Sequence, residues 1–479
     1  MSSFSYPKLE LFIGGSWIDS PSETNTEVLD PATGEVLGLM PHATDAQLGE
    51  AVESAGNAFQ KWRATSPYER AAILSKCASL MRDRSDYLAQ LITSELGKPS
   101  REAKAEVETA AGIFAWDAEE GRRAYGRIIP ARQAGIRQSV VREPVGPIAA
   151  FSPWNAPLIT PSRKISGALA AGCSVVIKPA EETPACTFAL AAILEEVGLP
   201  AGVVNVVTGD PALVSKRLLE SPVIKGITFT GSTAVGRSLA AQAALGLKKT
   251  VMELGGHAPV LVFPDVDVEA VARSAAAAKY RNAGQVCTSP TRFYVHESIH
   301  DRFSQSFAEA TRSIRVGNGQ EEATQMGPLA HARRLASAER FVDDARSRGI
   351  AVPVGGSRTG NRGFFFEPTL LVDGGDDSLA MNEEPFGPIA VTKPFASVDE
   401  AIALANRLPF GLAAYAFTHD SRVSADVADR VESGSVIVNH WQASLPETPF
   451  GGVGDSGLGR EGGIEGLEAF QTVKYVSQA

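Results

Sequence analysis

The sequence contains few cysteines, and none lies in a pair that is typical of a metal or disulfide site. Only four occur among 479 residues, at Cys77, Cys173, Cys186 and Cys287, without CxxC spacing. Four cysteines are too few for a disulfide scaffold in a chain of this length, and structural zinc sites need closely spaced ligands such as CxxC. The seven histidines likewise show no HxH or HExxH spacing. The sequence therefore predicts neither a disulfide scaffold nor a protein-built metal site.

Long apolar runs and an excess of positive charge are also missing. No segment holds the roughly 18 uncharged apolar residues that would cross a bilayer. The N-terminus lacks the basic region and apolar run of a secretory signal. Asp and Glu number 55 against 45 Lys and Arg, a net charge of −10, whereas a nucleic-acid binder carries a basic surface. We therefore expect a cytoplasmic protein without nucleic-acid or membrane partners.

The order of segments predicts an α/β protein. Residues 47–121 carry apolar side chains at helical spacing, and the second helical stretch is expected to stop at Gly97-Lys98-Pro99. After about residue 143, short apolar strands such as GCSVVIKPA and GVVNVVTG alternate with helical stretches. This alternation is typical of a parallel sheet covered by helices. A second such region begins near residue 258, so we expect two α/β layers in tandem.

Two further segments read as strands that interrupt or follow this order. Residues 122–130 and 135–142 resemble the two arms of a β-hairpin. The last residues, FQTVKYVSQA, read as another strand. Terminal strands can pair with another subunit, so these segments are candidates for an oligomer contact.

One cysteine and one glutamate stand out as candidates for chemistry. Cys287 follows a Gly-containing turn in RNAGQVCTS and precedes a strand, so it is either an exposed thiolate nucleophile or an inert buried thiol. Glu253 ends an apolar strand before Gly-Gly, where catalytic groups of α/β sheets gather. It is either a general base for water or a solvated carboxylate.

Two strand ends are candidates for binding an anion or an oxyanion. FTGSTAVGR at 229–237 presents a glycine turn and a helix start, which suits a phosphate but is a weak signal alone. Asn155 follows the strand before Ser152-Pro153-Trp154 and can donate to a developing oxyanion or simply form a turn.

Taken together, these motifs resemble the aldehyde dehydrogenase superfamily, and most closely its succinate-semialdehyde dehydrogenase-like branch. The matching motifs, in order, are PWN at 153–155, KPAEETP at 178–184, FTGS at 229–232, ELGG at 253–256, GQVC at 284–287, EEPFGP at 383–388 and PFGG at 449–452. The resemblance runs from about residue 10 to the C-terminus. It implies a Rossmann-like cofactor domain, an α/β catalytic domain and a small β oligomerisation arm.

The resemblance implies covalent chemistry on an aldehyde. Cys287 would attack the carbonyl, a hydride would pass to the cofactor, and water would hydrolyse the resulting thioester. Glu253 would activate that water, Asn155 would donate to the oxyanion, and Lys164 and Glu461 would line a proton path. By the same motif matches, the cofactor would contact Ser152, Trp154, Lys178, Glu181, Gly231, Ser232, Leu254, Glu384 and Phe386. Because a carboxylate at Glu181 repels a 2′-phosphate, the resemblance favours NAD over NADP.

The resemblance also implies a semialdehyde acid as substrate, with succinate semialdehyde as the first candidate. Arg163, Arg281 and Ser444 match positions that hold the distal carboxylate of such a substrate. Phe450, in the PFGG motif, is a further substrate-binding candidate. The alternative for the two arginines is that they form structural ion pairs. The alternative is the same chemistry on an aromatic or longer aldehyde, because His440, Trp441 and Glu447 are expected near the pocket mouth. His257 is expected to be a surface or packing residue, and Ser289 replaces the second cysteine of redox-regulated relatives.

The expected organisation follows the family. Residues 1–122 and 143–253 would form the NAD-binding domain, 254–448 the catalytic domain, and 123–142 with 459–479 the oligomerisation arm of a homodimer or homotetramer. A CoA-acylating relative is disfavoured because Glu253 is present. A catalytically silent protein on the same fold is disfavoured because Cys287, Glu253, Asn155 and Glu384 are all retained.

Overall fold

A computed structural model describes residues 4–20 and 24–479, and it confirms the predicted α/β class with two large sheets. In chain order the first strands are β1 Leu11–Ile13, β2 Ser16–Ile18, β3 Asn25–Leu29, β4 Val36–Pro41, β5 Arg127–Ile129, β6 Arg137–Pro144, β7 Ile148–Phe151, β8 Val175–Lys178, β9 Val204–Val206, β10 Gly226–Thr230 and β11 Lys249–Glu253. The later strands are β12 Ala258–Val262, β13 Pro290–His296, β14 Ala351–Val354, β15 Thr369–Val372, β16 Ile389–Phe395, β17 Phe410–Gly411, β18 Ala413–Phe417, β19 Ser435–Val438, β20 Val453–Gly454, β21 Gly457–Leu458 and β22 Gln471–Gln478.

Helices cover both sheets and fill the segment before the first parallel strand. The helices of the first half are α1 Asp45–Trp62, α2 Pro67–Asp83, α3 Ser85–Leu96, α4 Ser100–Gly121, α5 Ile159–Ala171, α6 Ala185–Glu196, α7 Pro211–Glu220 and α8 Thr233–Leu245. Those of the second half are α9 Val268–Tyr280, α10 His300–Arg312, α11 Ala332–Ser347, α12 Leu379–Asn382, α13 Val398–Ala405, α14 Ser421–Arg430 and α15 Gly463–Ala469.

The first sheet has the strand order β2-β1-β9-β8-β7-β10-β11-β21. Its five central strands are parallel, and β8 is buried along its whole length. The chain leaves β7 toward β8 and β9, then returns to the other side of β7 for β10. Ligands of open α/β sheets bind at such a reversal, outside the carboxyl ends of the strands.

The second sheet has the order β14-β15-β16-β13-β12-β18-β19, and only its edge strand β14 runs antiparallel. Helices α9, α10 and α11 pack apolar side chains such as Phe303, Phe307 and Phe341 into its core. Strand β13 begins three residues after Cys287, so this sheet anchors the candidate nucleophile.

A three-stranded antiparallel sheet, β22-β6-β5, stands apart from the two large sheets. The C-terminal strand β22 pairs with β6 over eight residues, from Gln471 opposite Pro144 to Gln478 opposite Arg137. The hairpin and the last strand, which the sequence predicted separately, therefore form one unit. Its apolar side chains Ile128, Val473 and Tyr475 are exposed.

The helical segment before β5 departs from the prediction at one point. The predicted second helix is broken at Arg84, where α2 ends and α3 begins. Helix α3 then ends at Gly97 as expected, with φ 76°, a left-handed conformation that glycine adopts without strain. Helix α4 follows at once, and its carboxylates reach the candidate site.

Candidate active site

The loop that carries Cys287 has an unusual backbone. Asn282, Ala283 and Gly284 are consecutive left-handed residues, with φ of 49°, 53° and 70°. Non-glycine residues persist in this conformation only where the surroundings fix them. Here the Asn282 N–H donates to Glu102 of α4 at 2.9 Å, and the Ala330 N–H donates to Gln285 at 2.9 Å. The loop is thus held from both sides just before the cysteine.

Cys287 is the one partly exposed residue among the four cysteines. Cys77, Cys173 and Cys186 are fully buried. Burial raises the pKa of the Cys287 thiol to about 12, with further increases from the charges of Glu253 and Glu384. The ionisation of this thiol is therefore sensitive both to its burial and to the two carboxylates around it.

Asn155 lies at the carboxyl end of β7 and is tied to the cysteine loop. Its Nδ2 donates to the Gln285 carbonyl at 3.0 Å. Its own carbonyl accepts from Lys98 Nζ at 3.2 Å and from Asn282 Nδ2 at 3.1 Å. An amide nitrogen has two hydrogens, so Asn155 keeps one for a second acceptor.

Glu253 is the last residue of β11 and is buried, with 2% of its surface exposed. Among the described residues, neither carboxylate oxygen accepts a hydrogen bond. Burial raises the pKa of Glu253 well above its usual value, and the charge of Glu461 raises it further. Burial therefore favours the protonated form of this carboxyl group, and its carboxylate, once formed, is a stronger base than a solvated one.

Lys164 and Glu461 form a buried ion pair next to Glu253. Lys164 Nζ lies 2.6 Å from Glu461 Oε1, and it also donates to Thr228 at 3.1 Å and to Thr230 at 2.7 Å. Thr228 donates to Glu461 at 2.9 Å. The Lys164 ammonium and Glu461 Oε1 are therefore satisfied by each other and by the β10 threonines.

The residues matched to the cofactor gather at the carboxyl ends of the first sheet. Ser232 caps α8 by accepting from the Val235 N–H, which leaves the helix start open to an anion. Lys178 at the end of β8 pairs with Glu181, and the Ser152 N–H donates to the Lys178 carbonyl at 3.2 Å. Gly231 has no room for a Cβ, which would lie 2.4 Å from the Phe229 ring.

The remaining cofactor candidates are Trp154, Leu254, Glu384 and Phe386. Trp154 and Phe386 pack edge to face with ring centroids 5.4 Å apart. Leu254 packs against Gly236 of α8, where a Cβ would lie 2.2 Å from its side chain. Burial raises the pKa of Glu384 to about 8, and the Gly256 N–H, which donates to it at 3.2 Å, lowers it. The start of α8 can bind a phosphate, carboxylates can accept hydrogen bonds from ribose hydroxyls, and aromatic rings can pack on a base, so this set of residues fits a nicotinamide dinucleotide.

Two of the three substrate candidates are in contact. Arg163 Nη2 donates to Ser444 Oγ at 2.8 Å and to the Leu445 carbonyl at 3.2 Å. The guanidinium lies 5.6 Å from the Phe450 ring. The side chain of Arg281 is exposed, and no contact between the described residues joins it to Arg163 or Ser444. The structure thus brings Arg163, Ser444 and Phe450 together, and among the described residues no hydrogen bond or ion pair links Arg281 to them.

The residues expected at the pocket mouth have different surroundings. Trp441 packs on β18, with its ring 4.6 Å from Phe417 and 5.1 Å from Tyr415. His440 and Glu447 are exposed. His257 is buried, with Nε2 3.1 Å from the Ala380 carbonyl, so it is a packing residue as expected.

Sequence reasoning missed a group of buried charges that support the site. Glu106 accepts from the Leu158 and Ile159 N–H groups at 3.0 and 3.3 Å and pairs with Lys98. Lys279, buried under the cysteine loop, donates to Ser289 at 3.1 Å, and burial lowers the pKa of Lys279 to about 7. Glu102 and Glu106 are spaced for one helix face, but such spacing is equally typical of a solvated face.

Within residues 4–20 and 24–479, no helix has the length and apolar character to span a membrane. In that same part of the chain, no cluster of His, Cys, Asp or Glu side chains is arranged to bind a metal ion.

Comparisons with known proteins agree on one family. The sequence profile of the aldehyde dehydrogenase family matches residues 17–476. The chain is 46% identical over 476 residues to the 4-(hydroxymethyl)benzenesulfonate dehydrogenase of Comamonas testosteroni, covering 99% of each. It is 40% identical to the NADP-linked succinate-semialdehyde dehydrogenase of Escherichia coli K12, covering 98% of this chain and 97% of that protein. A crystal structure of succinate-semialdehyde dehydrogenase from Burkholderia pseudomallei superposes with a TM-score of 0.97 at 42% identity, covering 100% and 99% of the two chains.

Proposed function

Because the chain belongs to the aldehyde dehydrogenase family, we propose that Cys287 is the nucleophile with which it oxidises aldehydes to carboxylic acids. The protein is an NAD(P)-dependent aldehyde dehydrogenase. The observation that carries the assignment of Cys287 is its position. It is the partly exposed cysteine, on a loop that Asn155, Gln285 and Glu102 hold in a left-handed conformation.

The first half of the reaction builds a thioester on Cys287. The Cys287 thiol first loses its proton to water, and the resulting thiolate attacks the aldehyde carbon while the carbonyl π electrons move to oxygen, giving a thiohemiacetal alkoxide. The free Nδ2 hydrogen of Asn155 and the Cys287 N–H donate to that oxygen. The C=O bond then re-forms as the carbon-bound hydrogen leaves with its electron pair. Bound NAD(P)+ supplies the acceptor for this hydride.

The second half releases the acid. Glu253, when ionised, takes a proton from water as the water oxygen attacks the thioester carbon, and the C–S bond breaks to return the Cys287 thiolate. The raised pKa of Glu253 makes its carboxylate a stronger base than a solvated one. We assign Lys164 and Glu461 to the removal of that proton, because they form the buried charged pair beside Glu253.

For the cofactor, we propose NAD as the preferred form. Glu181, paired with Lys178 at the end of β8, would accept hydrogen bonds from the ribose hydroxyls and repel a 2′-phosphate. Ser152, Trp154, Gly231, Ser232 and Leu254 would contact the rest of the cofactor, with Glu384 and Phe386 at the nicotinamide end. Replacing Glu181 by Gln should therefore raise kcat/KM with NADP relative to NAD.

For the substrate, we propose an aldehyde that carries an anionic group at its far end. Arg163 is buried beside Phe450 and hydrogen-bonded to Ser444, and a guanidinium fork matches a carboxylate or sulfonate. Succinate semialdehyde is the first candidate. An aromatic sulfonate such as 4-formylbenzenesulfonate is the second, because it fits both the same arginine and the 46% identical relative named for a benzenesulfonate. Arg281, exposed at the start of the cysteine loop, would act as a second, more distant cation.

The test is reduction of NAD and NADP with four aldehydes: succinate semialdehyde, 4-formylbenzenesulfonate, butanal and benzaldehyde. If the site selects aldehydes that carry an anionic group (anionic selection), kcat/KM should be higher for each anionic aldehyde than for its neutral analogue. Ser444→Ala should reduce that ratio, whereas Ser357→Ala, the same change at an exposed position, should not. Equal ratios in the wild-type protein would refute anionic selection and leave the Cys287 chemistry in place.

We propose that the three-stranded sheet β22-β6-β5 is the oligomerisation arm of a homodimer or homotetramer. Its exposed apolar side chains support this assignment. The first sheet, with residues 1–122 and 143–253, would be the cofactor domain, and residues 254–448 the catalytic domain. A free catalytic thiol favours a reducing compartment, so we propose a cytoplasmic location.

A further inference from the structure

A small internal cavity lies beside Arg163, between α4 and the C-terminal segment. Its volume is about 10 Å³, room for about one water molecule. Asp117 of α4, Arg163 of α5 and Glu461 supply its polar lining. Asp117 has no part in the proposed chemistry, so its place in this lining calls for a separate explanation.

Arg163 presents one nitrogen to this cavity. Its Nη1 is buried and has no hydrogen-bond partner among the described residues, whereas Nη2 donates to Ser444. Gly462 permits this arrangement, because its φ is 67° and a Cβ there would lie 2.3 Å from Nη1. One end of the guanidinium therefore contacts the proposed substrate side, and the other end faces the cavity.

Asp117 is the carboxylate that has no counter-ion of its own. It is 5% exposed, and Ser166 of α5 donates to its Oδ2. Burial raises the pKa of Asp117 to about 7; Ser166 and the charge of Arg163 lower it, and Glu120 and Glu461 raise it. These are the groups that face Asp117 from α4, from α5 and from the C-terminal segment, where Glu461 is itself paired with Lys164.

We propose that Asp117 is a positioning residue that controls how strongly Arg163 binds the anionic group of the substrate. The inference rests on the proposed function, since it assigns that anion to Arg163. Ionised Asp117 competes with the substrate for the charge of Arg163, directly or through a water in the cavity. Protonated Asp117 leaves that charge to the substrate.

This coupling has a definite direction. An anion bound at Arg163 favours the protonated form of Asp117, so an anionic aldehyde binds with uptake of a proton. By linkage, protonated Asp117 must favour the anion by the same factor. A shift of one pKa unit in Asp117 corresponds to about a tenfold difference in affinity. The preference for an anionic over a neutral aldehyde should therefore fall as the pH rises through the pKa of Asp117.

The experiment compares KM for succinate semialdehyde with KM for butanal, which has the same carbon chain without the carboxylate. In the wild-type protein, the ratio of KM for succinate semialdehyde to KM for butanal should rise about three- to tenfold from about pH 6 to about pH 8.5. Asp117→Asn keeps the acceptor for Ser166 and removes the charge, so its ratio should stay at the low-pH value throughout. Asp83→Asn, the same change at an exposed position, should behave as wild type.

Ser166→Ala provides a second measurement. Removing this hydrogen bond raises the pKa of Asp117, so the midpoint of the KM ratio should move to higher pH. A wild-type pH dependence in Asp117→Asn, or an unmoved midpoint in Ser166→Ala, would overturn the inference. Arg163→Met separates this result from the proposed function. If Arg163→Met abolishes the preference for the anionic aldehyde while Asp117→Asn and Ser166→Ala behave as wild type, only the role of Asp117 is refuted. If Arg163→Met leaves that preference intact, the anion site itself is refuted.

Discussion

The side chain of Asn155 donates a 3.0 Å hydrogen bond to the Gln285 carbonyl, two residues before Cys287. This bond joins the end of a first-sheet strand to the loop that enters the second sheet. The proposed oxyanion donor, Asn155, and the loop of the proposed nucleophile, Cys287, are therefore fixed to each other rather than to their own sheets separately. Such preorganised donors contribute most when they need no rearrangement during the reaction.

Replacing Asn155 by Ala should lower kcat by about 10²–10³-fold, the usual cost of losing one oxyanion donor. The variant also loses its bond to Gln285, so NAD binding should be measured by fluorescence titration to show that the fold is retained. A kcat within about twofold of wild type would exclude Asn155 from the oxyanion site.

Replacing Cys287 by Ser should abolish aldehyde oxidation and leave NAD binding unchanged, because a serine hydroxyl is far less nucleophilic than a thiolate. Cys173→Ser is the matched control. Cys173 is buried and lies 3.3 Å from the Phe470 carbonyl, an acceptor that a hydroxyl can also use. Steady-state NADH formation measures both variants, and turnover by Cys287→Ser would contradict the assignment.

The Cys287 thiol of the cofactor-free protein should be alkylated slowly at neutral pH. Its pKa is raised to about 12, so the thiolate fraction and the rate with iodoacetamide should rise about tenfold per pH unit up to at least about pH 10. The charge of ionised Glu253 raises this pKa, so Glu253→Gln should alkylate faster than the wild-type protein at the high pH where Glu253 is ionised. A plateau in the wild-type rate near pH 8.5 would show an unperturbed thiol.

Glu253→Gln should separate the two halves of the reaction. Acylation does not need the carboxylate, but hydrolysis of the thioester does, so a burst of NADH close to one per active site should precede slow turnover. Stopped-flow absorbance detects the burst. Glu322 is exposed, so Glu322→Gln should turn over without such a burst. If Glu253→Gln showed no burst either, the general base would be a different residue.

Lys164→Met should destabilise the protein by about 3–5 kcal/mol, because it leaves Glu461 charged and buried without its partner. Urea unfolding measures the loss. The double variant Lys164→Met/Glu461→Leu removes both charges and should recover a large part of that stability. If the single variant lost no stability, the pair would not be a desolvated ion pair.

The sequence predicted those site residues whose position depends on local structure. Apolar, β-branched runs followed by proline or glycine predict strands that end there, and this pattern placed Asn155 after one strand and Glu253 at the end of another. The same local signals predicted Gly97 as a helix end and a hairpin over residues 122–130 and 135–142, which the structure shows as β5 paired with β6. The roles of these residues in catalysis remain predictions.

What the sequence did not predict depends on packing between distant segments. The contact of Trp441 with Tyr415 and Phe417 joins a loop to a strand of the second sheet, and no local pattern reports it. The break at Arg84 falls inside a continuous amphipathic pattern. The sequence predicts Lys98 only as part of a helix end. Its contact with the site is not local, because its acceptor, the Asn155 carbonyl, lies 57 residues away along the chain.

The final strands of the chain give the protein a particular order of assembly. Strand β21 covers the edge of β11 beside Glu253, and Glu461 follows it. A ribosome adds ~5–20 residues per second, so Glu253 emerges roughly 10–40 s before the segment that encloses it. Until then, β11 is an unpaired strand edge, a template for association with other chains. Glu253 and Glu461 therefore come together only after β21 has been synthesised, and a chain truncated before β21 would expose the edge of β11 rather than lose a dispensable segment.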